Sequence, residues 1–254
     1  MKTFTKIEQL HTEWEVNGAC TEGVEFNYSC NTLQEVFETC PFNFRFWRLI
    51  NGYSQFAAHC EWGKLNGFNW GYLLVEQPQF AENCAWEKLN GDDWRRILSH
   101  HPQFAAHCAW GKLDGRNWSY LLTYHPQFAA HCAWEKLNGD DWACLLVEHP
   151  QFADKCDWAK FKGDNWGCLL AQQPQFADKC DWKKLKGVNW ACLLVEQPQF
   201  AEHCAWEKLN GHYWSRLLSY HPQFAAHCAW GKLNGDDFIG LLVHQPQFKK
   251  YITK

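Results

Sequence analysis

The chain has 254 residues, a formal charge of −4 at pH 7, and aromatic residues at 17% of its positions. This charge gives no overall attraction to nucleic acid or to an anionic membrane surface. The sequence contains no apolar run long enough for a transmembrane helix, and it begins without the apolar core of a secretory signal. These features predict a cytoplasmic protein that does not associate with membranes.

Residues 1–45 do not share the periodicity that follows, and we expect them to form a helical cap. Thr32 and Glu35 have the spacing of a capping box, which predicts a helix that starts there. A shorter amphipathic helix is predicted before it by apolar residues at i, i+3 and i+7, namely Ile7, Leu10 and Trp14.

From Phe46 to Phe248 the sequence repeats a 24-residue unit without a gap. The period is visible in the prolines that recur once per unit: Pro78, Pro102, Pro126, Pro150, Pro174, Pro198, Pro222 and Pro246. A fixed period of this size is typical of a solenoid, in which each unit contacts its neighbours. We therefore divide the chain into a cap (1–45), about eight and a half repeats (46–248) and a polar tail (249–254).

The first segment of each unit predicts an amphipathic α-helix. In one copy, Trp94, Ile97 and Leu98 lie at i, i+3 and i+4 and form one apolar face. Asp92 and Asp93 precede them, and acidic residues are favourable at a helix N-terminus. We interpret these aspartates as capping residues rather than as catalytic carboxylates. The proline that follows is expected to end this helix and to open the next one.

The second segment predicts a helix that breaks near Ala109. Phe104 and Cys108 share one face, whereas Trp110 and Leu113 would point to the other side of a continuous helix. Two copies carry an aspartate at the break that resembles the N-cap of a short further turn, Asp157 and Asp181. An Asn-Gly pair is expected to close the unit with a left-handed residue. The prediction is an all-α fold with two short helical segments and a turn per repeat.

These landmarks resemble the leucine-rich repeat variant family, whose unit also has 24 residues. His101-Pro102 stands where that family has Asn-Pro, and Cys108 and Leu113 fall near its leucines. The resemblance covers about four-fifths of the chain and implies a right-handed α-solenoid. Tryptophan and phenylalanine occupy positions that are leucine or valine in that family. The units also resemble tryptophan-rich tandem repeats of uncharacterised bacterial proteins.

Eight of the fourteen cysteines form one column, with one member per repeat. Packed helices lie roughly 8–10 Å apart, whereas a disulfide needs Cα atoms about 4.4–6.8 Å apart. We therefore expect these cysteines to be small buried hydrophobes in a reducing compartment. The cap cysteines Cys20, Cys30 and Cys40 do not have a metal-ligand spacing. Histidines precede five column cysteines, but adjacent helical side chains diverge by about 100°. We predict no metal and no cofactor.

A lysine and a glutamine also recur once per repeat. The lysines can form a basic ridge for a polyanion, or each can cover a tryptophan with its stem and leave its charge in water. Acidic neighbours such as Glu87, Glu135 and Glu207 favour the second interpretation. The glutamine that follows each proline is expected to form a hydrogen-bond ladder between units.

The positions that vary between copies are the two residues after the tryptophan of the first helix and the two after its leucine pair. Tyrosine, tryptophan and arginine are residues that anchor interfaces, and solenoids use such faces as extended binding surfaces. The predicted partner-binding residues are Arg48, Tyr72, Arg95, Arg96, His100, Tyr120, Tyr124, Arg216 and Tyr220.

The predicted function is a scaffold that binds a protein or peptide through an acidic or aromatic segment. One alternative is an ordinary solvated face that has drifted between duplicated units. Another is a nucleic-acid-binding helical repeat protein, against which stand the negative charge and the lack of aromatic residues around Cys144, Cys168 and Cys192. No acid–base pair, nucleophile elbow or phosphate loop is present, so we predict no catalytic residues and no enzyme.

Overall fold

Helices and the turns between them make up the part of the chain that the computed structural model describes, namely residues 8, 9, 30–40 and 42–252, and no β-strand occurs there. Helix α1 is Leu33–Thr39 and helix α2 is Phe42–Ile50. Thr32 Oγ1 accepts a hydrogen bond from Glu35 N (3.1 Å), which confirms the predicted start of α1. The predicted helix at Ile7, Leu10 and Trp14 has its three apolar residues outside the described part.

Each repeat consists of one α-helix and two 3-10 helices. The α-helices are α3 Gly67–Glu76, α4 Gly91–His100, α5 Gly115–Tyr124, α6 Gly139–Glu148, α7 Gly163–Gln172, α8 Gly187–Glu196, α9 Gly211–Tyr220 and α10 Gly235–His244. The longer 3-10 helices are Ser54–His59, Pro78–Asn83, Pro102–His107, Pro126–His131, Pro150–Lys155, Pro174–Lys179, Pro198–His203, Pro222–His227 and Pro246–Tyr251. The shorter ones are Trp62–Lys64, Trp86–Lys88, Trp110–Lys112, Trp134–Lys136, Trp158–Lys160, Trp182–Lys184, Trp206–Lys208 and Trp230–Lys232.

The all-α prediction is confirmed for the described residues, but a repeat has three helical segments rather than two. The predicted break near Ala109 is present, because one 3-10 helix ends at His107 and the next begins at Trp110. Asp157 caps the short helix of its repeat by accepting a hydrogen bond from Ala159 N (3.2 Å), as predicted. The segment after the proline is 3-10 rather than α-helical.

The Asn-Gly pair begins an α-helix and does not close one with a left-handed residue, so that prediction is wrong. Asn90 Oδ1 accepts from Asp93 N (3.0 Å), and Asp93 Oδ2 accepts from Asn90 N (3.0 Å), which together form a capping box. The helix therefore starts at Gly91, three residues before Trp94. The predicted capping role is confirmed for Asp93.

Gly139, the first residue of α6, is required because the next repeat approaches it closely. A Cβ atom built there would lie 2.5 Å from Lys160 O and 2.7 Å from Asn165 Oδ1, closer than side-chain carbons approach other atoms. At the equivalent Gly235, a Cβ atom would meet nothing within 4 Å. The glycine column thus serves close packing between repeats.

Substitution of Gly139 by alanine is expected to lower the free energy of unfolding by about 1–3 kcal/mol, the usual cost of overpacking a tight contact. Gly235→Ala is the matched control, because it changes the same helix position without a neighbour, and we expect an effect within about 0.5 kcal/mol. Denaturant titration of both variants measures this difference. Equal effects would contradict the close approach of the Lys160 carbonyl.

The chain forms two compact units, Met1–Asn117 and Trp118–Lys254. In the first unit α2, α3 and α4 pack one on the next, and in the second unit α6 to α10 do so. Each core is built from columns of tryptophan and leucine. Trp94 in the first unit and Trp142 in the second are fully buried, as are the aliphatic pairs of the same helices, Ile97-Leu98 and Leu145-Leu146.

The second tryptophan of each repeat is half-buried and stacks on aromatic rings of the next repeat. The Trp86 ring stacks on that of Trp94, with centroids 5.4 Å apart. It also stacks on the His107 ring, with centroids 4.5 Å apart. These distances are typical of stacked rings. The histidine before the column cysteine therefore joins repeats. At the end of the chain, Tyr251 stacks on Trp230 in the same way (3.9 Å).

The column lysines are bound to backbone carbonyls, which differs from both predicted interpretations. Lys88 Nζ donates to Gly63 O (2.7 Å) and Leu65 O (3.0 Å) of the preceding repeat. Lys112, Lys160, Lys208 and Lys232 each donate to two carbonyls of the preceding repeat in the same way. These carbonyls lie at the end of a short helix, where backbone acceptors lack partners within the helix. The lysine column is thus structural.

A hydrogen-bond ladder between repeats exists, but the residue before the proline forms it, not the predicted glutamine after it. His101 Nε2 donates to Val75 O (2.9 Å), and Gln173 Nε2 donates to Val147 O (2.6 Å). The predicted glutamine holds that side chain in place, since Gln103 Nε2 donates to His101 Nδ1 (3.3 Å). The prediction identified the ladder and misplaced it by two residues.

Candidate functional site

The second, sixth and tenth residues of each α-helix are spaced four residues apart and share one side, which we call the outer face. In α3 this face consists of Phe68, Tyr72 and Glu76, and all three are exposed. Two of the four predicted variable positions, the second residue after the tryptophan and the last residue of the helix, belong to the outer face.

The first residue after the tryptophan does not belong to the outer face, which corrects the predicted site. It is turned about 100° toward the neighbouring helix and is buried in most repeats. Ser119 Oγ, for example, donates to Asp141 O of the next helix (2.9 Å). Arg95 occupies this position, and its side chain retains 28% of its exposure beside Asp92. Arg95 is therefore a packing residue at the edge of the outer face.

Arg96 forms the centre of an aromatic cluster in the first unit. Its guanidinium carbon lies 4.1 Å from the ring centroid of Tyr72 and 5.5 Å from that of Phe68. The two rings are themselves 4.6 Å apart. Its Nη1 lies 4.0 Å from Asp93 Oδ1, which holds the guanidinium across the rings. We call Phe68, Tyr72 and Arg96 the arginine cluster.

Phe68, which is 55% exposed, is an outer-face residue that was not among the predicted binding residues. It lies four residues before Tyr72, so the helical period alone would have indicated it once the helix start at Gly67 was known. The predicted start, three residues too late, excluded it from the helix.

Arg48 and His100 are predicted residues of the first unit that are not part of the arginine cluster. Arg48 lies on α2, and its guanidinium carbon is 5.7 Å from the ring centroid of Tyr53. His100 is exposed at the end of α4, and its Nδ1 donates to Arg96 O of the same helix (3.0 Å).

In the second unit the predicted residues lie on the outer face of two helices, α5 and α9. Tyr120 and Tyr124 of α5 form a pair with ring centroids 4.8 Å apart, and they are 40% and 62% exposed. Arg216 of α9 directs Nη1 toward Cys192 Sγ (3.6 Å). Tyr220, at the end of the same helix, is 66% exposed. The structure therefore gives these residues the exposure that binding requires.

Small residues on α7 and α8 leave a groove of about 300 Å³ in the outer face. Its floor includes Gly167 and Ala171, and its walls include Cys168, Cys192 and Arg216. Thiols at these sixth positions replace the larger tyrosine and arginine side chains of other repeats.

The thiols of the cysteine column have raised pKa values. Burial raises the pKa of seven of them to about 12, namely Cys84, Cys108, Cys132, Cys156, Cys180, Cys204 and Cys228. Because the thiolate is the nucleophilic and metal-binding form, a raised pKa lowers the reactivity of these half-buried cysteines at neutral pH. Cys144 and Cys168 on the outer face are exposed instead.

Among the residues with described positions, no three His, Cys, Asp or Glu side chains are grouped so that they could hold a metal ion. Within the same residues, no helix combines the length and the apolar character needed to cross a membrane. Comparison of the chain with protein-family models, with curated proteins and with solved structures gives no match.

Proposed function

We propose that the chain is a non-enzymatic repeat scaffold that binds a protein or peptide along the outer face of its α-helices. One observation carries this proposal: large apolar and aromatic side chains are exposed on the α-helices and are covered on the 3-10 helices. Within the described residues, nine of the ten exposed large hydrophobic side chains lie on α-helices, and six of these nine belong to the outer face, namely Phe68, Tyr72, Tyr120, Tyr124, Val188 and Tyr220. Exposed apolar surface of this kind marks interaction sites.

The partner that fits this face offers carboxylates and aromatic rings. Arginine pairs with carboxylates and stacks on aromatic rings, and Arg96, which already lies over the Tyr72 ring, would lose little conformational freedom on binding. Exposed tyrosines such as Tyr124 and Tyr220 supply large contact area at a low entropic cost. Tyrosine and arginine are also the residues on which binding energy concentrates.

For the architecture, we propose a right-handed α-solenoid of the leucine-rich repeat variant type. The support is the same set of bonds between successive repeats in each unit, made by the column lysines and by the residue before the proline. The handedness comes from the resemblance of the sequence to that family. We also propose a reducing, cytoplasmic location, which the free thiols of the described cysteines support.

Capture with the immobilised intact chain tests the choice between a protein partner and a nucleic acid. Lysate of the source organism is applied with and without nuclease, and bound proteins are quantified by mass spectrometry. We expect the same proteins in both samples, because the outer face recognises them directly. Loss of the bound proteins after nuclease treatment would contradict the proposal and would favour the nucleic-acid-binding alternative.

A further inference from the structure

A cleft in the second unit is lined by an unusual number of lysines. It has a volume of about 480 Å³ and lies between the starts of α7 and α8. Its charged lining residues are Lys160, Lys162, Lys184, Lys186 and Asp164. The volume is in the range of small-ligand sites, and the charge favours an anion.

A second cleft of about 470 Å³ adjoins the first, one repeat earlier. It shares Lys160 and Lys162 with the first cleft and adds Lys136, with Asp140 as its acidic residue. The two clefts therefore form one continuous basic strip along the starts of three α-helices. We call it the lysine strip.

The acidic residues of the lysine strip are engaged in structural hydrogen bonds. Asp164 Oδ1 accepts from Asn189 Nδ2 (2.7 Å), and Asp140 Oδ1 accepts from Asn165 Nδ2 (2.5 Å). Lys160 is also engaged, since its Nζ donates to two carbonyls of the preceding repeat. Lys162 and Lys186, by contrast, are exposed, and neither ammonium group is bonded to a group in the described residues.

Lys162 and Lys186 stand where the other repeats have a helix-capping residue. That position is otherwise Asn66, Asn90, Asp114, Asn138, Asn210 or Asn234. An ammonium group cannot accept a hydrogen bond from the first-turn N–H groups, and neither lysine forms a side-chain cap. Loss of an Asn cap costs about 1 kcal/mol. Two consecutive repeats thus lack a stabilising side-chain cap, and each carries an exposed ammonium group in its place.

We propose that the lysine strip binds a small oligophosphate, with phosphate oxygens between the ammonium groups of Lys162 and Lys186. Lysine acts as a point charge toward phosphate, and the uncapped N–H groups at the starts of α7 and α8 add donors at the same place. Two adjoining clefts suit a ligand with consecutive phosphate groups better than a single small anion. The strip lies at the helix starts and does not use the tyrosines and arginines of the outer face.

The test uses inorganic tripolyphosphate as the probe and isothermal titration calorimetry at low ionic strength, with sulfate at equal ionic strength as the reference anion. Wild-type protein is expected to bind tripolyphosphate in preference to sulfate. Lys162→Asn with Lys186→Asn is expected to weaken that binding at least about tenfold, because two charge-assisted hydrogen bonds to phosphate are lost. The same variant should melt at a higher temperature, since asparagine restores both caps.

The control variant is Lys155→Asn with Lys179→Asn. It removes the same charge from neighbouring positions of the chain, where each lysine pairs with an adjacent aspartate at 2.9 or 2.8 Å. Its affinity for tripolyphosphate should stay close to that of the wild type. Equal losses from both variants, or no binding by the wild type, would overturn the proposal. Tighter binding of a thymidine oligonucleotide through Lys162 and Lys186 would also overturn it, since the ligand would then be a nucleic acid.

Discussion

Replacement of Trp142 by alanine is expected to lower the free energy of unfolding by about 3–5 kcal/mol, as for other buried aromatic residues. Its side chain is fully buried, and its ring lies parallel to Trp134 with centroids 5.4 Å apart. Alanine would leave a cavity beneath Trp134. Because each repeat is stabilised by the interfaces with its neighbours, hydrogen exchange should accelerate in α7 as well as in α6.

Trp47→Ala is the control for this substitution, because Trp47 is 55% exposed on α2. Its effect on the free energy of unfolding should remain far smaller than that of Trp142→Ala. Thermal and denaturant unfolding measure both variants. A midpoint of unfolding that Trp142→Ala leaves unchanged would mean that the first-helix tryptophan column is not the core.

The sequence predicted the elements of a repeat well because their signals are local. The 24-residue period, the proline at the start of the second segment, the break near Ala109 and the aspartate cap at Asp157 are all confirmed. Each depends on backbone preferences of a few neighbouring residues, such as the missing N–H of proline. The Asn-Gly error arose because asparagine followed by glycine suits both a helix end and a helix start.

Contacts between repeats could not be predicted, because every repeat shares the same columns and periodicity does not say which neighbour a column meets. Lys88 reaches carbonyls 23 and 25 residues earlier, and His101 reaches one 26 residues earlier. The same limit applies to the exposure of the Arg95 and Arg96 side chains. The helical period separates their directions by about 100°, but it could not show that contacts leave both side chains largely covered, with 28% of Arg95 and 24% of Arg96 exposed.

The residues of the lysine strip and those of the outer face differ in their effect on the stability of the fold. Tyr124 and Tyr220 occupy positions where the scaffold imposes no other requirement, so these residues vary without loss of stability. Lys162 and Lys186 occupy cap positions, where the scaffold prefers asparagine. At Lys162 and Lys186, the proposed ligand binding and the stability of the scaffold therefore favour different residues. An increase in melting temperature together with a loss of binding is the expected signature of that conflict.

The affinity of the captured protein partner for two outer-face variants tests the proposed scaffold function most directly. Tyr72→Ala with Arg96→Ala removes two of the three side chains of the arginine cluster, and Cys168→Ser with Gln172→Ala changes the sixth and tenth residues of α7, which also belong to the outer face, as the control. We expect the first variant to lose at least about 2 kcal/mol of binding free energy, or roughly 30-fold in Kd. The control should bind within about twofold of the wild type. Both should stay folded by circular dichroism, since the substituted side chains lie on the outer face. Equal losses from the two variants, or wild-type affinity in both, would contradict a binding site at the arginine cluster.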